Sequence, residues 1–123
     1  MAYDPNNIFA KILKGDIPCQ KIYQDKYALA FYDVNPQAAL HALIIPTGPY
    51  ISGDDFHEKA SDAELVGYYR ALNKVLEVLN LKENDGYRLL SNSGKNAGQE
   101  VPHFHTHIFG KQRLGPMLST VKK

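Results

Sequence analysis

The sequence has few of the residues that define several common protein classes. Its 123 residues contain no tryptophan and a single cysteine, Cys19. A lone cysteine cannot form a disulfide within the chain or a cysteine-rich zinc site, so neither cross-link stabilises the fold. The chain is nevertheless 44% hydrophobic, with eight tyrosines and five phenylalanines. This content excludes disorder and predicts a single domain over residues 1–123, with a C-terminal tail from about residue 111.

An excess of charge and a long apolar segment are also missing. Fourteen basic and thirteen acidic residues leave a formal net charge of +1, so no overall field favours a nucleic acid polymer or an acidic membrane as partner. The longest aliphatic run is Leu43-Ile44-Ile45, far below the ~20 apolar residues of a membrane span. Residues 1–7 contain no apolar signal region. We therefore expect a cytoplasmic protein without a membrane partner.

Two helices are predicted from capping signals and apolar spacing. The first begins at Asp4-Pro5 and ends at Gly15, because proline is favoured at the first helical position and glycine just beyond the last. The second begins at the capping box Ser61-Asp62-Ala63-Glu64 and ends near Asn80. Its predicted core-facing stripe follows helical spacing and consists of Leu65, Tyr69, Leu72, Leu76 and Leu79.

Five segments are predicted to be strands, namely residues 19–24, 27–34, 41–46, 87–91 and 103–109. Most are joined by short turns, and the helices are set apart from them, which is typical of an α+β domain with an antiparallel sheet. A parallel doubly wound fold would require more crossover helices than the sequence offers.

Three of the five histidines, His103, His105 and His107, alternate with other residues near the C-terminus. On a strand such residues share one face and follow one another at roughly 6.6 Å. The intervening positions, Phe104 and Thr106, then face the opposite side. The spacing therefore predicts a row of imidazoles on one face of the last strand.

Three interpretations of this row are possible. It could be the polar face of an exposed strand. It could contribute to a zinc site, although a straight row of three imidazoles would need a carboxylate from elsewhere, such as Asp33 or Glu100. It could also carry out nucleophilic catalysis on a phosphate, since neutral imidazole is a good nucleophile near pH 7 and crowding keeps some rings unprotonated.

The loop that precedes the histidines fits the third interpretation. Gly94 and Gly98 allow backbone N–H groups to approach an anion closely, and Asn92, Ser93 and Gln99 offer hydrogen-bond donors. Without the histidines, a loop of this composition would indicate only a turn.

At these residues the sequence resembles the histidine triad (HIT) family. The stretch from residue 92 to residue 109 is similar to the signature of HIT nucleotide-binding proteins, and the similarity extends to residues 7–13, 30–36 and 41–46. The resemblance implies an α+β fold with a five-stranded antiparallel sheet and two helices, and a homodimer whose sheets join into one of ten strands. It also implies hydrolysis at the α-phosphate of nucleotide conjugates, adenosine 5′-phosphoramidates in this branch, without a metal or other cofactor.

The resemblance also assigns roles to individual residues. His105 would be the nucleophile that forms a nucleotidyl-imidazole intermediate, His107 would bind the phosphate or leaving-group side, His103 would orient, and His41 would relay protons. The resemblance also implies three groups of nucleotide-binding residues. An apolar cleft for a purine base would be formed by Ile8, Phe9, Ile12, Phe31 and Val34, and the carboxylate of Asp33 would bind the ribose. The phosphate would be bound by Asn92, Gly98, Gln99, Glu100 and Val101.

Two residues depart from the family pattern. Glu100 occupies a position where a small hydroxyl residue is expected, and its carboxylate would repel a phosphate. Thr106 replaces an apolar residue, which predicts slightly weaker packing on the back face of the last strand. Two other functions remain open: a dinucleoside polyphosphate hydrolase, and a nucleotide-binding interaction protein with incidental catalysis.

Overall fold

The computed structural model of this chain describes residues 2–119. These residues contain three α-helices and five strands, with two short 3-10 turns at Leu81–Glu83 and Lys95–Ala97. In chain order the elements are α1 (Ile8–Lys14), β1 (Lys21–Gln24), β2 (Ala28–Tyr32), β3 (Leu40–Pro46), α2 (Gly53–Lys59), α3 (Asp62–Val78), β4 (Tyr87–Leu90) and β5 (Thr106–Gly110).

The five strands form one antiparallel sheet in the order β1-β2-β3-β5-β4. This confirms the predicted α+β fold with a five-stranded antiparallel sheet. The central pair is β3 and β5, in which His41 lies opposite Phe109 and Leu43 lies opposite His107. The pairing therefore brings His41 to the end of the histidine row, although 66 residues separate it from His107 in sequence.

The prediction of two helices was wrong, because α2 is a third. It spans only seven residues, of which Phe56 is the one large buried side chain, so it leaves no helical periodicity to detect. The start of α1 was also misplaced. Its N-cap is Asn7, whose side chain accepts a hydrogen bond from the backbone N–H of Ala10. Gly15 ends the helix with a left-handed φ of 83°, as predicted.

Each face of the sheet has its own apolar cluster. Helix α3 covers one face and buries Tyr68 completely, whereas Tyr69 is 44% exposed. The predicted stripe was therefore wrong at this position. The capping box at Ser61 and Glu64 is present as predicted. The opposite face carries α1 and a smaller cluster made of Phe9, Leu29, Phe31, Leu43 and Ile45.

Thr106 does not weaken the back face in the way that we predicted. Its hydroxyl lies 2.7 Å from the Tyr68 hydroxyl, which in turn donates to the backbone carbonyl of Ile44 at 3.1 Å. Since a buried polar group costs stability only when it lacks a partner, the threonine is accommodated and links β5 to α3.

Within residues 2–119, no helix is both long enough and apolar enough to cross a membrane.

The predicted C-terminal tail begins directly after β5. The guanidinium of Arg88, on β4, donates to the carbonyl of Gly115 in this tail at 2.8 Å. Residues 120–123 of this tail lie outside the described residues, so the extent of the domain stays a prediction.

Candidate active site

The histidine row is only partly a strand. We predicted that it begins at residue 103, whereas β5 begins at Thr106, so His103 and His105 lie in the irregular segment before it. The rings still gather on the α1 side of the sheet. The ring centroids of His105 and His107 are 5.0 Å apart, and the Phe9 ring lies 5.0 Å from His105 and 6.3 Å from His103.

The hydrogen bond of His105 fixes which ring nitrogen is free. Its Nδ1 lies 2.7 Å from the backbone carbonyl oxygen of His103. A carbonyl only accepts, so Nδ1 carries the proton and the lone pair of the neutral ring is on Nε2. Nε2 has no hydrogen-bond partner within the part of the chain that the structure describes. Burial lowers the pKa of His105, so the ring is neutral, and nucleophilic at Nε2, near pH 7.

His107 has the opposite arrangement, set by a chain that begins at the backbone. The N–H of Gln37 donates to Nδ1 of His41 at 3.1 Å, and Nε2 of His41 lies 2.9 Å from Nδ1 of His107. Since His41 accepts at Nδ1, its proton is on Nε2 and is donated to His107. The neutral His107 ring therefore carries its proton on Nε2 and is a donor. Burial and the neighbouring imidazoles lower the pKa of His107 to about 4.

His103 uses both ring nitrogens to hold its own position. Nε2 donates to the carbonyl of Pro46 at 2.9 Å, and Nδ1 accepts from the hydroxyl of Tyr3 at 2.6 Å. The side chain is 1% exposed, and burial lowers its pKa to about 4. With neither nitrogen free, His103 is suited to orienting its neighbours and not to attacking a substrate.

A cavity of about 320 Å³ opens beside His105 and His107. Nine predicted site residues line it: Phe9, Asp33, Asn92, Gly98, Gln99, Glu100, Val101, His105 and His107. Three further lining residues were missed, namely Asn35, Gln37 and Leu43. The strand alternation of β3 could have indicated Leu43, two residues after His41 on the same face. For the other two, the sequence signals only a turn after β2.

The remaining predicted residues lie outside the cavity lining. His41 and His103 lie behind the lining histidines, and Phe31 is buried in the apolar cluster of Phe9. Ile12 packs against the same cluster. Ile8 and Val34 are exposed on the surface, at 47% and 88%.

The loop between β4 and β5 is held by the side chain of Gln99. Its amide nitrogen donates to the carbonyls of Ile51 and Val101, at 2.6 and 3.0 Å, and its carbonyl oxygen accepts from the N–H of Gly94 at 2.9 Å. Gly94 and Gly98 have left-handed φ values of 83° and 74°, a conformation that favours glycine. The Gln99 amide is thus occupied in shaping the loop, and the donors that the loop can offer an anion are backbone N–H groups and the side chain of Asn92, which lines the cavity.

The charge of the cavity lining is negative. Asp33 and Glu100 contribute carboxylates, and no lysine or arginine among residues 2–119 lines the cavity. Since the pKa values of His105 and His107 are lowered, these rings add no positive charge near neutral pH. Hydrogen-bond donors, and not cations, are therefore available to bind an anionic ligand.

Asp33, His41 and His107 are candidate ligands for the zinc site considered above, because their ligand atoms lie within 4.8 Å of one another. A metal requires unprotonated nitrogens from both imidazoles. Nε2 of His41 instead carries the proton that it donates to His107, because its Nδ1 accepts from the backbone of Gln37. The carboxylate atom Oδ2 of Asp33 lies 3.4 Å from Nε2 of His41. This geometry suits proton transfer better than metal binding.

A comparison with protein families supports the sequence resemblance. The family model described as HIT domain matches residues 14–114. The chain belongs to the HIT family. Among HIT relatives, it is 52% identical over 117 residues to an uncharacterised 13.2 kDa HIT-like protein of Azospirillum brasilense, covering 95% of each chain. It is 40% identical over 115 residues to a purine nucleoside phosphoramidase of Escherichia coli K12, covering 91% of this chain and 92% of that one.

Solved structures of HIT proteins share the fold. The crystal structure of a HIT family hydrolase from Legionella pneumophila is 35% identical and superposes with a TM-score of 0.78, covering 89% of this chain and 96% of that one. These comparisons place the chain in a family whose members include hydrolases.

Proposed function

We propose that this chain hydrolyses nucleoside 5′-monophosphate conjugates of the adenosine 5′-phosphoramidate type through a nucleotidyl intermediate on His105. The observation that carries the proposal is the pair of complementary tautomers. His105 has an unprotonated Nε2, and His107, whose ring centroid is 5.0 Å away, carries its proton on Nε2. A nucleophile and a donor thus lie side by side at one cavity. The name of the Escherichia coli relative, a purine nucleoside phosphoramidase, supports the substrate class.

In the first step, Nε2 of His105 attacks the α-phosphorus. The new N–P bond forms as the bond to the leaving amine breaks, and the amine departs with one proton from the His41–His107 pair. In the second step, water attacks the same phosphorus, returns a proton to the pair and releases the nucleotide from His105. The chain of Gln37, His41 and His107 supports this exchange, because it orders the ring protons in one direction.

The proposed nucleotide site uses the remaining residues as the resemblance implies. Phe9 and Leu43 form the apolar wall of the cavity, and Ile8 and Val34 offer exposed apolar surface that a purine base would cover. Asp33 accepts the backbone N–H of Asn35 at 2.8 Å and keeps acceptor capacity for a ribose hydroxyl.

The charge of the cavity separates the two hydrolase candidates. Asp33 and Glu100 would repel each additional phosphate of a dinucleoside polyphosphate, and no basic side chain of the described residues lines the cavity to compensate. A monophosphate conjugate brings a single negative charge. The lining therefore favours phosphoramidates over polyphosphates. The free Nε2 of His105 likewise favours an enzyme over a binding protein with incidental catalysis.

A turnover screen tests the proposal. The purified protein is given adenosine 5′-phosphoramidate and diadenosine polyphosphates, with and without excess chelator, and His105→Asn protein controls for contaminating phosphatases. We expect fast phosphoramidate cleavage that persists in chelator, and slow polyphosphate cleavage. Faster cleavage of polyphosphates, or nucleotide binding with negligible turnover of both classes, would overturn it. Loss of activity in chelator with recovery on adding zinc or magnesium would overturn the metal-free mechanism.

We further propose that the chain forms a homodimer through α3 and the edge strand β4. Apolar side chains on these elements remain exposed, including Val66, Tyr69 and Val78 on α3 and Tyr87 and Leu89 on β4. Tyr69 and Leu89 border one surface groove of about 510 Å³. An exposed edge strand with apolar side chains favours pairing with a second copy, which would extend the sheet to ten strands.

A further inference from the structure

His103 lies just before β5, in a segment that is not paired with a neighbouring strand of the sheet. Pairing of β5 with β3 begins at Thr106 opposite Ile44, so the carbonyl of His103 is outside the strand ladder. This is the carbonyl that fixes the Nδ1–H tautomer of His105. Its position depends on the local backbone bonds from His103 to Val101 and from Phe104 to Tyr50, and on the two hydrogen bonds of the His103 ring.

One of those two ring bonds comes from Tyr3, 100 residues away in sequence. The Tyr3 ring also packs edge-on against His103, with ring centroids 5.6 Å apart. The segment that carries Tyr3 is itself anchored, because the buried side chain of Asn7 donates to the carbonyl of Asp4 and caps α1. Tyr3 is therefore held against the site by the same residue that starts the first helix.

We propose that Tyr3 is a positioning residue for the nucleophile: its hydroxyl clamps His103, whose backbone carbonyl keeps His105 in the tautomer with a free Nε2. This inference goes beyond the proposed function and rests on it for the identity of the nucleophile. Tyr3 is not among the residues that line the cavity. Its hydroxyl acts on the site through the hydrogen bond to His103.

The chemistry of the contact explains why the hydroxyl matters. The Pro46 carbonyl requires a proton on Nε2 of His103, so Nδ1 is an acceptor and needs a donor. Burial raises the pKa of Tyr3, which keeps the phenol protonated and able to donate. Without the Tyr3 hydroxyl, Nδ1 of His103 is a buried acceptor that has lost this donor. Rotation of the His103 ring towards another donor then becomes energetically favourable. Such a rotation also breaks the Nε2 hydrogen bond to Pro46, so the His103 backbone, whose carbonyl orients His105, loses both of its side-chain anchors.

The test compares Tyr3→Phe with a matched control, Tyr23→Phe. Both variants keep the aromatic ring and lose one hydroxyl. The Tyr23 hydroxyl donates to the carboxylate of Asp25 at 2.9 Å, so its loss is a structural change at the β1 edge of the sheet, away from His105. Two readouts are made: the tautomers of the histidines by ¹⁵N NMR of the free protein, and kcat and KM for adenosine 5′-phosphoramidate with the Kd for AMP.

For Tyr3→Phe we expect His105 to become a mixture of tautomers and kcat to fall by about tenfold. KM and the Kd for AMP should stay within about twofold, since the nucleotide contacts are intact. Tyr23→Phe should leave the NMR signature and kcat unchanged. Wild-type ¹⁵N signals for His105 in Tyr3→Phe, or an equal loss of kcat in both variants, would overturn the proposal. The NMR readout needs no substrate, so it decides the role of Tyr3 even if phosphoramidates prove not to be cleaved.

Discussion

The backbone assigns different tasks to imidazoles that are chemically identical. A carbonyl beside Nδ1 leaves His105 with a free Nε2, whereas a backbone N–H beside Nδ1 of His41 leaves His107 with a protonated Nε2. His103 has both nitrogens occupied. The tautomer of each ring thus follows from its nearest main-chain group or tyrosine, and the proposed division between nucleophile, donor and orienting residue rests on the tautomers.

Replacing His105 with Asn is expected to abolish turnover and preserve nucleotide binding. Asparagine keeps some hydrogen bonding but has no nucleophilic nitrogen, so kcat should fall by several orders of magnitude. The Kd for AMP, measured by calorimetry, should change little, because Phe9, Asp33 and the loop around Gly98 remain. The matched control is His57→Asn, since His57 is exposed on α2.

Stereochemistry gives an independent check of the same step. Two in-line displacements retain the configuration of a substrate chiral at the α-phosphorus, whereas direct attack by water inverts it. We expect retention. Inversion, or near-normal turnover by the His105→Asn protein, would show that this imidazole is not the nucleophile.

Acidification is expected to destabilise the fold through the buried histidines. The pKa values of His103 and His107 are lowered from 6.5 to about 4, so the unfolded chain binds more protons than the folded one between these values. Their stabilisation is complete above about pH 6.5 and is lost as the pH falls towards 4. For His103, which is 1% exposed, the change is on the order of 3 kcal/mol.

Urea unfolding at pH 7.5, 6, 5 and 4.5 measures this dependence. The free energy of unfolding should decrease steadily as the pH is lowered from 7.5 to 4.5. The His103→Gln protein should be less stable than the wild type at pH 7.5, but its free energy of unfolding should decrease less over the same range. A stability that is constant from pH 7.5 to 4.5 would contradict the prediction.

The residues of the site could be predicted from sequence more completely than their arrangement. The spacing of His103, His105 and His107 identified the cluster, and the glycines identified the loop. The partners that set the tautomers lie far along the chain, at Tyr3, Gln37 and Pro46, and no local pattern points to them. Contacts across the sheet depend on strand register, which the sequence does not state directly.

At the scale of elements, local signals were reliable where a cap was strong and unreliable where packing decides. The Ser61–Glu64 capping box and Gly15 were predicted correctly. The stripe on α3 was misplaced at Tyr69, because Tyr68 and Tyr69 are adjacent and equally apolar. Tyr68 is the buried one since its hydroxyl reaches Ile44 and Thr106 on the sheet. Tertiary hydrogen bonding therefore selects the buried face of the helix.

The link between α3 and β5 makes a quantitative prediction. Tyr68→Phe should reduce the free energy of unfolding by about 1–2 kcal/mol, because the buried Thr106 hydroxyl loses its Tyr68 partner. Thr106→Val should reduce it by about 1 kcal/mol, because Tyr68 loses one hydrogen bond and keeps its bond to the Ile44 carbonyl. The double variant should lose less than the sum of the two, since the shared hydrogen bond is removed once. Urea denaturation of the four proteins measures the coupling. Strict additivity would mean that the two hydroxyls, 2.7 Å apart, do not stabilise each other.

At the scale of the whole molecule, the two sheet edges differ in character. The β1 edge presents the polar side chains of Lys21 and Gln24, which hydrogen-bond to each other. Polar and charged groups discourage pairing with another chain. The β4 edge instead presents Tyr87 and Leu89, 43% and 38% exposed. A sheet with one protected edge and one apolar edge is suited to a closed two-fold dimer, and unsuited to an open chain of copies.

The dimer is expected to depend on the β4 edge and not on the β1 edge. In light scattering at micromolar concentration, the wild-type protein should have twice the mass of the chain. Leu89→Glu should be monomeric, because it places a carboxylate in the proposed apolar contact. Lys21→Gln removes one positive charge at the opposite edge, so it changes the net charge by the same amount and should remain dimeric. A monomeric wild type would refute the assembly. A Leu89→Glu protein that stays dimeric would refute the proposed face. At a two-fold contact each copy contributes one buried, unpaired carboxylate, so the substitution should weaken dimerisation twice over.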